Sequence, residues 1–376
     1  MVRSRLMQRT DVLARFLARK TPRDAERSGV LLVSAGGLGD TVLFALVLPR
    51  FLSLAQAGET VTVLLRSDAA KMAFLFPPGV EVRTVDFKRF GRQGRYRLTT
   101  LAEMRDAHYR IVVSTDYLRH PYLDEALIRA CACPDSFAMT PRPWPKHDRA
   151  LTRNRSLYSR LFEAGEPRRD KVLRWTAFAD WLTGTIEPPP RIRLPEALLP
   201  PPVKPERPTI MLQPFSAVTR KQSPPSLYLA LMEALPDHDF VLLGAPNDLT
   251  RNPEFVDLLD RAEFDSSPFQ ELLPRLRGAD LVVSVDTALM HLAAAAGVPT
   301  LCLASAAYVG EIVPYADDTK PDNVMFVTCL MPCEGCLGAC DRPEESGMYP
   351  CVARIDRDMV VGMARVMLDL GSERKE

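Results

Sequence analysis

The sequence predicts an α/β protein with two Rossmann-like domains that face each other across a cleft. Its 376 residues suit two domains better than one. In each half, short apolar segments alternate with longer segments of helical periodicity, the pattern of a parallel sheet covered by helices. A proline-rich segment separates the halves, as expected of a linker. In such folds, ligands bind beyond the carboxyl ends of the strands.

The N-terminal domain is predicted over residues 29–183. A glycine-rich turn follows its first strand and leads into a helix. The predicted strands are GVLLVS (29–34), TVTVLL (60–65), VEVRTV (80–85) and RIVVST (110–115).

The linker is predicted at 184–208, where the prolines are concentrated. The strand and helix alternation then restarts in a C-terminal domain at 209–355, and a C-terminal helix follows at 356–376. The strands predicted for this domain are TIMLQP (209–214), DFVLLG (239–244), DLVVSV (280–285) and PTLCLA (299–304).

Residues 1–28 form a basic N-terminal arm with partly amphipathic character. Apolar residues such as Leu6, Leu13 and Leu17 can share one helical face, with arginines on the others. This face could rest on an anionic membrane surface or pack on the domain itself. The arm lacks the features of a secretory signal, and no apolar run is long enough to span a bilayer. We therefore expect a cytoplasmic protein, with peripheral contact to the inner membrane as an option.

The near-neutral net charge of +1 conceals an asymmetry between the halves. Residues 1–175 contain 31 Lys or Arg and 18 Asp or Glu, a net charge of +13, and the remainder carries −12. A basic half can attract an anionic partner, although a solvated basic surface without a partner has the same composition. No feature of the sequence indicates nucleic-acid binding.

The segment SAGGLGDTVLFALVLP (34–49) joins the first strand to its helix. Gly37 and Gly39 allow the backbone to approach a ligand closely, but the spacing is not that of the dinucleotide fingerprint GxGxxG. Asp40 lies at the predicted helix start, where a carboxylate could accept a proton from a substrate hydroxyl. It could instead be only the residue that caps the helix.

Two segments of the second half can bind phosphate. In QPFSAVTRKQSPP (213–225), Ser216 and Lys221 could contact phosphate oxygens, or the loop could simply be solvated. In GADLVVSVDTALMHLAAAAGVPT (278–300), Asp286 and Thr287 open a helix whose free N–H groups suit a diphosphate. His291 lies one turn further on, where a buried, hydrogen-bonded histidine is also common.

Five of the eight cysteines lie in the segment 329–351, and four of these, at positions 333, 336, 340 and 351, form the candidate cluster. In a reducing compartment, clustered thiols favour a metal site over disulfides, and tetrahedral thiolate sites suit zinc or iron. The alternative is four reduced cysteines. The candidate ligands are Cys333, Cys336, Cys340 and Cys351.

The GLGDTVLFALVLP segment, the Lys221 loop and VSVDTALMHLAAAAGVPT together resemble glycosyltransferase family nine, the ADP-heptose:lipopolysaccharide heptosyltransferases. The resemblance implies the GT-B fold and inverting sugar transfer without a divalent cation at the chemical step. It implies that Asp40 is the base in an acceptor-binding domain and that Lys221 meets the donor diphosphate. The residues that correspond to the donor-binding helix are Asp286, Thr287, Ala288 and His291. Relatives that glycosylate autotransporter proteins hold iron in a similar four-cysteine finger.

The chain departs from the family pattern in its donor half. Glycine is usual in the family where this chain has Phe215 and Ala288, and tryptophan is common at the position of Ser223. After the strand at 299–304, Ala304 and Ser305 replace a common Phe-Gly pair. These changes bear on the identity of the nucleotide sugar.

The sequence thus predicts a glycosyltransferase of lipopolysaccharide biosynthesis. The expected donor is a nucleotide sugar, ADP-heptose, and the expected acceptor is a hydroxyl of an anionic glycolipid or a protein. Two alternatives remain at this point. One is a catalytically degenerate GT-B scaffold or binding protein, and the other is a GT-B sugar-nucleotide epimerase.

Overall fold

The computed structural model describes residues 26–373, and the chain divides into two compact units. One unit comprises the residues up to 167 together with 174–188, and the other comprises 168–173 together with 189 onward. Of the predicted basic arm, only the last three residues lie within the described part of the chain. Within residues 26–373, no helix combines the length and apolar character needed to cross a bilayer.

The first unit contains a six-stranded parallel sheet with the order β3-β2-β1-β4-β5-β6. All five residues of β1 are buried, because this central strand is covered on both faces. The strands are β1 Val30–Ser34, β2 Val61–Arg66, β3 Val80–Val85, β4 Ile111–Ser114, β5 Asp135–Met139 and β6 Arg160–Phe162. The helices are α1 Leu38–Leu52, α2 Phe87–Phe90, α3 Gly94–Asp106, α4 Asp124–Cys131, α5 Asp148–Asn154 and α6 Lys171–Thr183.

The strand order of this unit reverses between β1 and β4. Both β2 and β4 hydrogen-bond to β1, with Val30 paired to Val61 on one side and to Ile111 on the other. The loops that follow β1 and β4 therefore leave the same edge of the sheet in opposite directions. Ligands of doubly wound folds bind at this switch point.

The second unit repeats the plan, with the strand order β12-β11-β10-β7-β8-β9. Its switch point lies between β7 and β10, which pair in parallel. The strands are β7 Thr209–Gln213, β8 Asp239–Leu243, β9 Ala262–Asp265, β10 Leu281–Val285, β11 Thr300–Leu303 and β12 Val324–Val327. The helices are α7 Pro225–Ala234, α8 Asp248–Arg251, α9 Phe269–Gly278, α10 Ala288–Ala295, α11 Pro350–Ala353 and α12 Arg357–Glu373.

The predicted α/β class with two Rossmann-like sheets is confirmed, and all eight predicted strands are present. Sequence patterning missed four strands, β5, β6, β9 and β12, of three to five residues each. β5, β6 and β9 contain polar residues and lack the continuous apolar run by which buried parallel strands are recognised. β12 is apolar throughout but has only four residues, and so short a run cannot be assigned to a strand by periodicity alone.

The proline-rich segment packs on the second unit. Ile192 and Leu194 are buried, and the N–H of Leu194 donates to the carbonyl of Ala295 at 2.7 Å. The N–H of Ile192 donates to the carbonyl of Thr319 at 2.8 Å. Although proline has no N–H, the residues between the prolines still donate, so this segment is tied to the body of the unit.

Candidate active site

Asp40 lies in the first turn of α1, directly after β1. Gly37, rather than Asp40, is the N-cap residue, and Asp40 is the third residue of the helix. The carboxylate Oδ2 accepts a hydrogen bond of 2.7 Å from the N–H of Gly37. This contact satisfies one of the four backbone donors that a helix start leaves open. The expectation that Asp40 is the N-cap residue is therefore wrong, because Gly37 occupies that position. The carboxylate of Asp40 nevertheless hydrogen-bonds to the N-cap and stabilises the start of the helix.

Gly36 leaves the space in which the Asp40 side chain lies. A Cβ atom on Gly36 would be 2.6 Å from Cβ of Asp40 and 2.7 Å from its Oδ2, and non-bonded contacts of a Cβ atom are essentially never so short. A Cβ atom on Gly37 would approach Oδ2 only to 3.8 Å, an ordinary contact. The glycine-rich turn therefore fixes the position of the carboxylate rather than merely permitting a turn.

Asp116 is a second carboxylate at this edge of the sheet, and the sequence analysis missed it. It follows β4 and accepts a hydrogen bond from the N–H of Ala35 in the loop after β1. It is 9% exposed. The available signal was the polar pair Thr115-Asp116 after an apolar strand, which resembles Asp286-Thr287 in the second half with the two residue types in the opposite order.

A buried ion pair holds the loop that carries Asp116. Arg119 donates to Glu125 at 3.0 Å, and both side chains are almost fully buried. Arg119 also donates to the carbonyls of Asp116 and Met139, at 3.2 and 2.7 Å, which joins the loop after β4 to β5. Buried charges of this kind are tolerated when they are paired and fully hydrogen-bonded.

The predicted donor-binding residues of the second unit lie together where β10 meets α10. Lys221 Nζ lies 2.6 Å from Oδ2 of Asp286, and their side chains are 11% and 5% exposed. Burial alone would lower the pKa of Lys221, but the carboxylate of Asp286 outweighs it and raises the pKa. The ammonium group therefore stays charged at neutral pH. It also lies 4.7 Å from the ring centroid of Tyr308, a cation–π distance.

The start of α10 is held by a side chain that the sequence analysis did not select. Thr287 is the N-cap residue and Ala288 the first residue of this helix. The hydroxyls of Thr287 and Ser284 both donate to Oε1 of Gln213, at 2.9 and 3.1 Å. Gln213 ends β7, on the other side of the switch point, so it ties the N-terminus of α10 to the neighbouring strand.

His291 is buried, and one ring nitrogen is engaged. Its Nδ1 lies 2.6 Å from the hydroxyl of Tyr315, and its Nε2 lies 3.9 Å from Oδ1 of Asp286. The histidine therefore lies next to Asp286 without a hydrogen bond between these two atoms, whose separation is too long for one. Ser216 lies in the loop after β7, where its hydroxyl accepts from the N–H of Val218 at 3.2 Å.

The four predicted metal ligands line one small cavity of about 10 Å³, roughly the space of a single water. Burial, with the neighbouring thiols as a further cause, raises the pKa of Cys351. Nε of Arg342 donates to Sγ of Cys333 at 3.2 Å. Over residues 26–373, however, no group of three or more His, Cys, Asp or Glu side chains is arranged to hold a metal ion.

Residues 144–323 match the model of glycosyltransferase family 9 (heptosyltransferase). This segment includes Lys221, Asp286 and His291, whereas Asp40 and the cysteine cluster lie outside it. No curated protein matches the sequence significantly.

Solved glycosyltransferases share the fold over nearly the whole chain. A family 9 glycosyltransferase from Veillonella parvula has 15% identity and a TM-score of 0.63, with 91% of this chain and 97% of that chain covered. Escherichia coli heptosyltransferase WaaC, solved with ADP-2-deoxy-2-fluoro heptose, has 18% identity, a TM-score of 0.61 and coverages of 90% and 99%. The iron-containing dodecameric glycosyltransferase TibC from enterotoxigenic E. coli has 13% identity, a TM-score of 0.53 and coverages of 95% and 79%.

These likenesses are too distant in sequence to show more than the fold. The family match and the fold agree, however, with the resemblance that the motifs carried. The chain therefore has the GT-B fold of the heptosyltransferases, and its resemblance to glycosyltransferase family nine is confirmed.

Proposed function

We propose that the protein is an inverting glycosyltransferase that moves a heptose from ADP-heptose to a hydroxyl of a cell-surface glycan or protein acceptor. The observation that carries this proposal is the buried Lys221–Asp286 pair at the N-terminus of α10. A retained positive charge beside open helix N–H groups, at a switch point of a parallel sheet, suits the diphosphate of a nucleotide sugar. ADP-heptose itself is proposed by analogy with the ligand of WaaC.

The donor side stabilises the leaving group. As the bond between the anomeric carbon and the diphosphate breaks, negative charge grows on the departing phosphate oxygen. The Lys221 ammonium and the N–H groups that follow Thr287 are already oriented in the folded unit, so they stabilise this charge without reorganisation. We propose that they replace a divalent cation at the chemical step. Asp286 holds the ammonium in position with His291 next to it, and Ser216 contributes from the neighbouring loop.

Asp40 acts as the general base on the acceptor side. The acceptor hydroxyl oxygen forms the new bond to the anomeric carbon, and its proton passes to the Asp40 carboxylate. Gly37, the N-cap of α1, and Gly39, in its first turn rather than in the preceding loop, have no side chains that would cover the backbone here. Attack opposite to the departing diphosphate inverts the anomeric configuration.

The acceptor is proposed to be anionic. The excess of basic residues in positions 1–175 gives this half a charge of +13, which favours a phosphorylated glycolipid. The same charge would attract the protein to the anionic cytoplasmic surface of the inner membrane. We therefore propose a cytoplasmic location with peripheral membrane contact.

We further propose that Cys333, Cys336, Cys340 and Cys351 hold one structural zinc or iron ion. The four thiols line one small cavity and supply the soft donor set that both metals accept, and the loop would have to bring them closer together to coordinate an ion. A bound ion would crosslink the loop 331–351, which has little regular structure of its own. TibC, described as iron-containing, is a precedent in the same fold.

The test is a coupled assay of ADP release and sugar transfer with ADP-heptose and a de-acylated lipopolysaccharide core. Acceptor-dependent ADP release with formation of a glycosylated product is the expected result. Binding of ADP-heptose without turnover over a panel of acceptors would indicate a scaffold instead. Conversion of the donor to an epimer without release of ADP would indicate an epimerase.

A further inference from the structure

A cluster of aromatic and imidazole rings lies in the first unit and has no part in the chemistry proposed above. The ring centroids of His120 and His147 are 4.7 Å apart, and that of Trp144 lies 4.4 Å from His147 and 5.8 Å from His120. All three side chains are half-buried, so the cluster is neither core nor fully solvated. We call these three residues the ring cluster.

Hydrogen bonds between neighbouring loops connect the segments that carry the ring cluster to the edge of the sheet that carries Asp40. The N–H of Arg142 donates to the carbonyl of Tyr117 at 2.8 Å, which places the loop after β5 against the loop after β4. The latter loop includes Asp116, which holds the N–H of Ala35 beside the glycine-rich turn. His120 itself lies in the loop after β4.

Hydrogen bonds from the backbone of the loops after β4 and β5 help to fix the positions of the rings. The N–H of Trp144 donates to Asp148 at 2.6 Å, and the N–H of His147 donates to the carbonyl of Trp144 at 2.6 Å. The N–H of Tyr122 donates to Nδ1 of His120 at 3.2 Å, so the proton of this neutral imidazole is on Nε2, where it is a hydrogen-bond donor. The three rings meet at angles of 58° to 86°, so they present ring faces and edges side by side rather than one flat surface. Partly exposed rings with an N–H donor are complementary to a sugar ring, which has apolar C–H faces and an edge of hydroxyls.

The charges around the ring cluster suit an anionic glycan. Burial, together with the nearby His147 and Lys146, lowers the pKa of His120 to about 4, so that this ring is neutral at pH 7. Burial also lowers the pKa of His147. The fixed positive charges therefore come from the exposed side chains of Lys146 and Arg149, which flank neutral rings.

We propose that the ring cluster of His120, Trp144 and His147 is an acceptor subsite that binds one sugar ring of an anionic glycan, with Lys146 beside it for a phosphate group. Its part in sugar transfer rests on the function proposed above. The subsite itself is a binding site and does not depend on turnover.

Fluorescence of Trp144 tests binding directly. The probe is the phosphorylated oligosaccharide of de-acylated lipopolysaccharide, titrated without donor into the full-length protein. Of the three tryptophans, Trp175 is buried and Trp181 packs against Phe162 and Phe178. Because Trp181 is half-buried as well, the Trp144→Phe variant identifies the part of the signal that comes from Trp144. The emission should change in the wild type but not in Trp144→Phe. An equal response to inorganic phosphate alone or to an unglycosylated peptide would overturn the assignment to a sugar.

Kinetics separate the subsite from the function. Trp144→Ala and His147→Ala should each raise the acceptor KM by about tenfold, a typical loss for one anchoring contact, with kcat and donor KM nearly unchanged. Trp144→Phe, which keeps a ring, should retain most of the affinity. Lys146→Ala should weaken the binding of the phosphorylated acceptor more than the binding of its dephosphorylated form. The matched control is Lys88→Ala, because Lys88 is an exposed lysine after β3.

The two proposals fail in different ways. If Trp144→Ala transfers sugar normally with an unchanged acceptor KM, the proposed subsite is excluded and the proposed function stands. If the oligosaccharide binds at Trp144 but the protein transfers no sugar, the proposed function is excluded and the proposed subsite stands.

Discussion

Asp40 combines a contact within its own helix with a proposed role in proton transfer, and Asp40→Asn separates the two. The amide oxygen can still accept from the N–H of Gly37, so the melting temperature and the donor affinity should hold. The amide cannot accept a proton at neutral pH, and the loss of a general base typically costs about 10²–10⁴ in rate. A transfer assay with a thermal melt measures both. Near-normal transfer by the folded variant would exclude Asp40 as the base.

Gly36 offers an independent test of the same carboxylate. Gly36→Ala would place a Cβ atom 2.6 Å from Cβ of Asp40 and must displace this side chain. We expect turnover to fall by at least about tenfold, the factor that corresponds to 1.4 kcal/mol in the barrier, while donor binding stays unchanged. Gly37→Ala is the matched control, because its Cβ atom would meet only an ordinary contact at 3.8 Å. Equal activities of the two variants would contradict this account of the turn.

Lys221 is the residue on which the donor site depends. Lys221→Ala should weaken the binding of ADP by roughly tenfold or more, since a hydrogen bond to a charged group contributes about 1.5–3 kcal/mol. It should also lower the melting temperature, because Asp286 stays buried without its cation. Isothermal titration calorimetry measures the affinity, with Lys204→Ala, an exposed lysine of the linker segment, as control. An unchanged Kd would leave Lys221 with a structural role only.

At the scale of elements, the two helices that carry the candidate site start in the same way. Both α1 and α10 follow a buried parallel strand next to the switch point of their sheet. In each case, a side chain at or just after the end of a neighbouring strand hydrogen-bonds to the turn between the strand and the helix. Asp116 binds the loop before α1, and Gln213 binds the N-cap of α10. The helix starts are therefore braced across the sheet, which is the preorganisation that charge stabilisation requires.

The folded structure of the cysteine segment should depend on the metal ion proposed above. Purified protein should contain about one zinc or iron ion per chain. Cys336→Ser should abolish this content and lower the melting temperature. Cys329→Ser is the matched control, because Cys329 belongs to the same segment but does not line the cavity. Folded, active and metal-free wild-type protein would exclude the site.

At the scale of the whole molecule, an ion pair at the start of the first sheet should contribute stability at neutral pH that is lost in acid. Glu59 accepts from Arg110 and from the N–H groups of Gly29 and Gln56, and mainly the bond from Arg110 lowers the pKa of Glu59 to about 2. This stabilisation is complete above pH 4.5 and is lost as the pH falls towards 2. Glu59→Gln should therefore be less stable than the wild type at pH 7, and the difference should shrink towards pH 2.

Urea unfolding at a series of pH values measures this difference. Glu103→Gln, at an exposed position of α3, is the control. A constant difference between wild type and Glu59→Gln from pH 7 to pH 2 would show that the charge of Glu59 is not its cause.

The sequence by itself determined the α/β class, eight of the twelve strands and the placement of Asp40 and Asp286 relative to their strands. Apolar runs mark buried parallel strands, and residues that directly follow such strands must lie at the carboxyl edge of the sheet, where ligands bind. Three of the four missed strands contain polar residues, and β12 is apolar but too short to be assigned by its pattern alone.

Only the tertiary structure decided which of these strand ends are neighbours. Asp116 meets Ala35 across 81 residues, and Gln213 meets Thr287 across 74, because β4 pairs with β1 and β10 with β7. The assembly of His120 with Trp144 and His147 likewise needs the β4 and β5 loops to lie side by side. Local patterns encode the elements since burial and helix periodicity act over a few residues. Strand order arises from long-range packing, which no local pattern records.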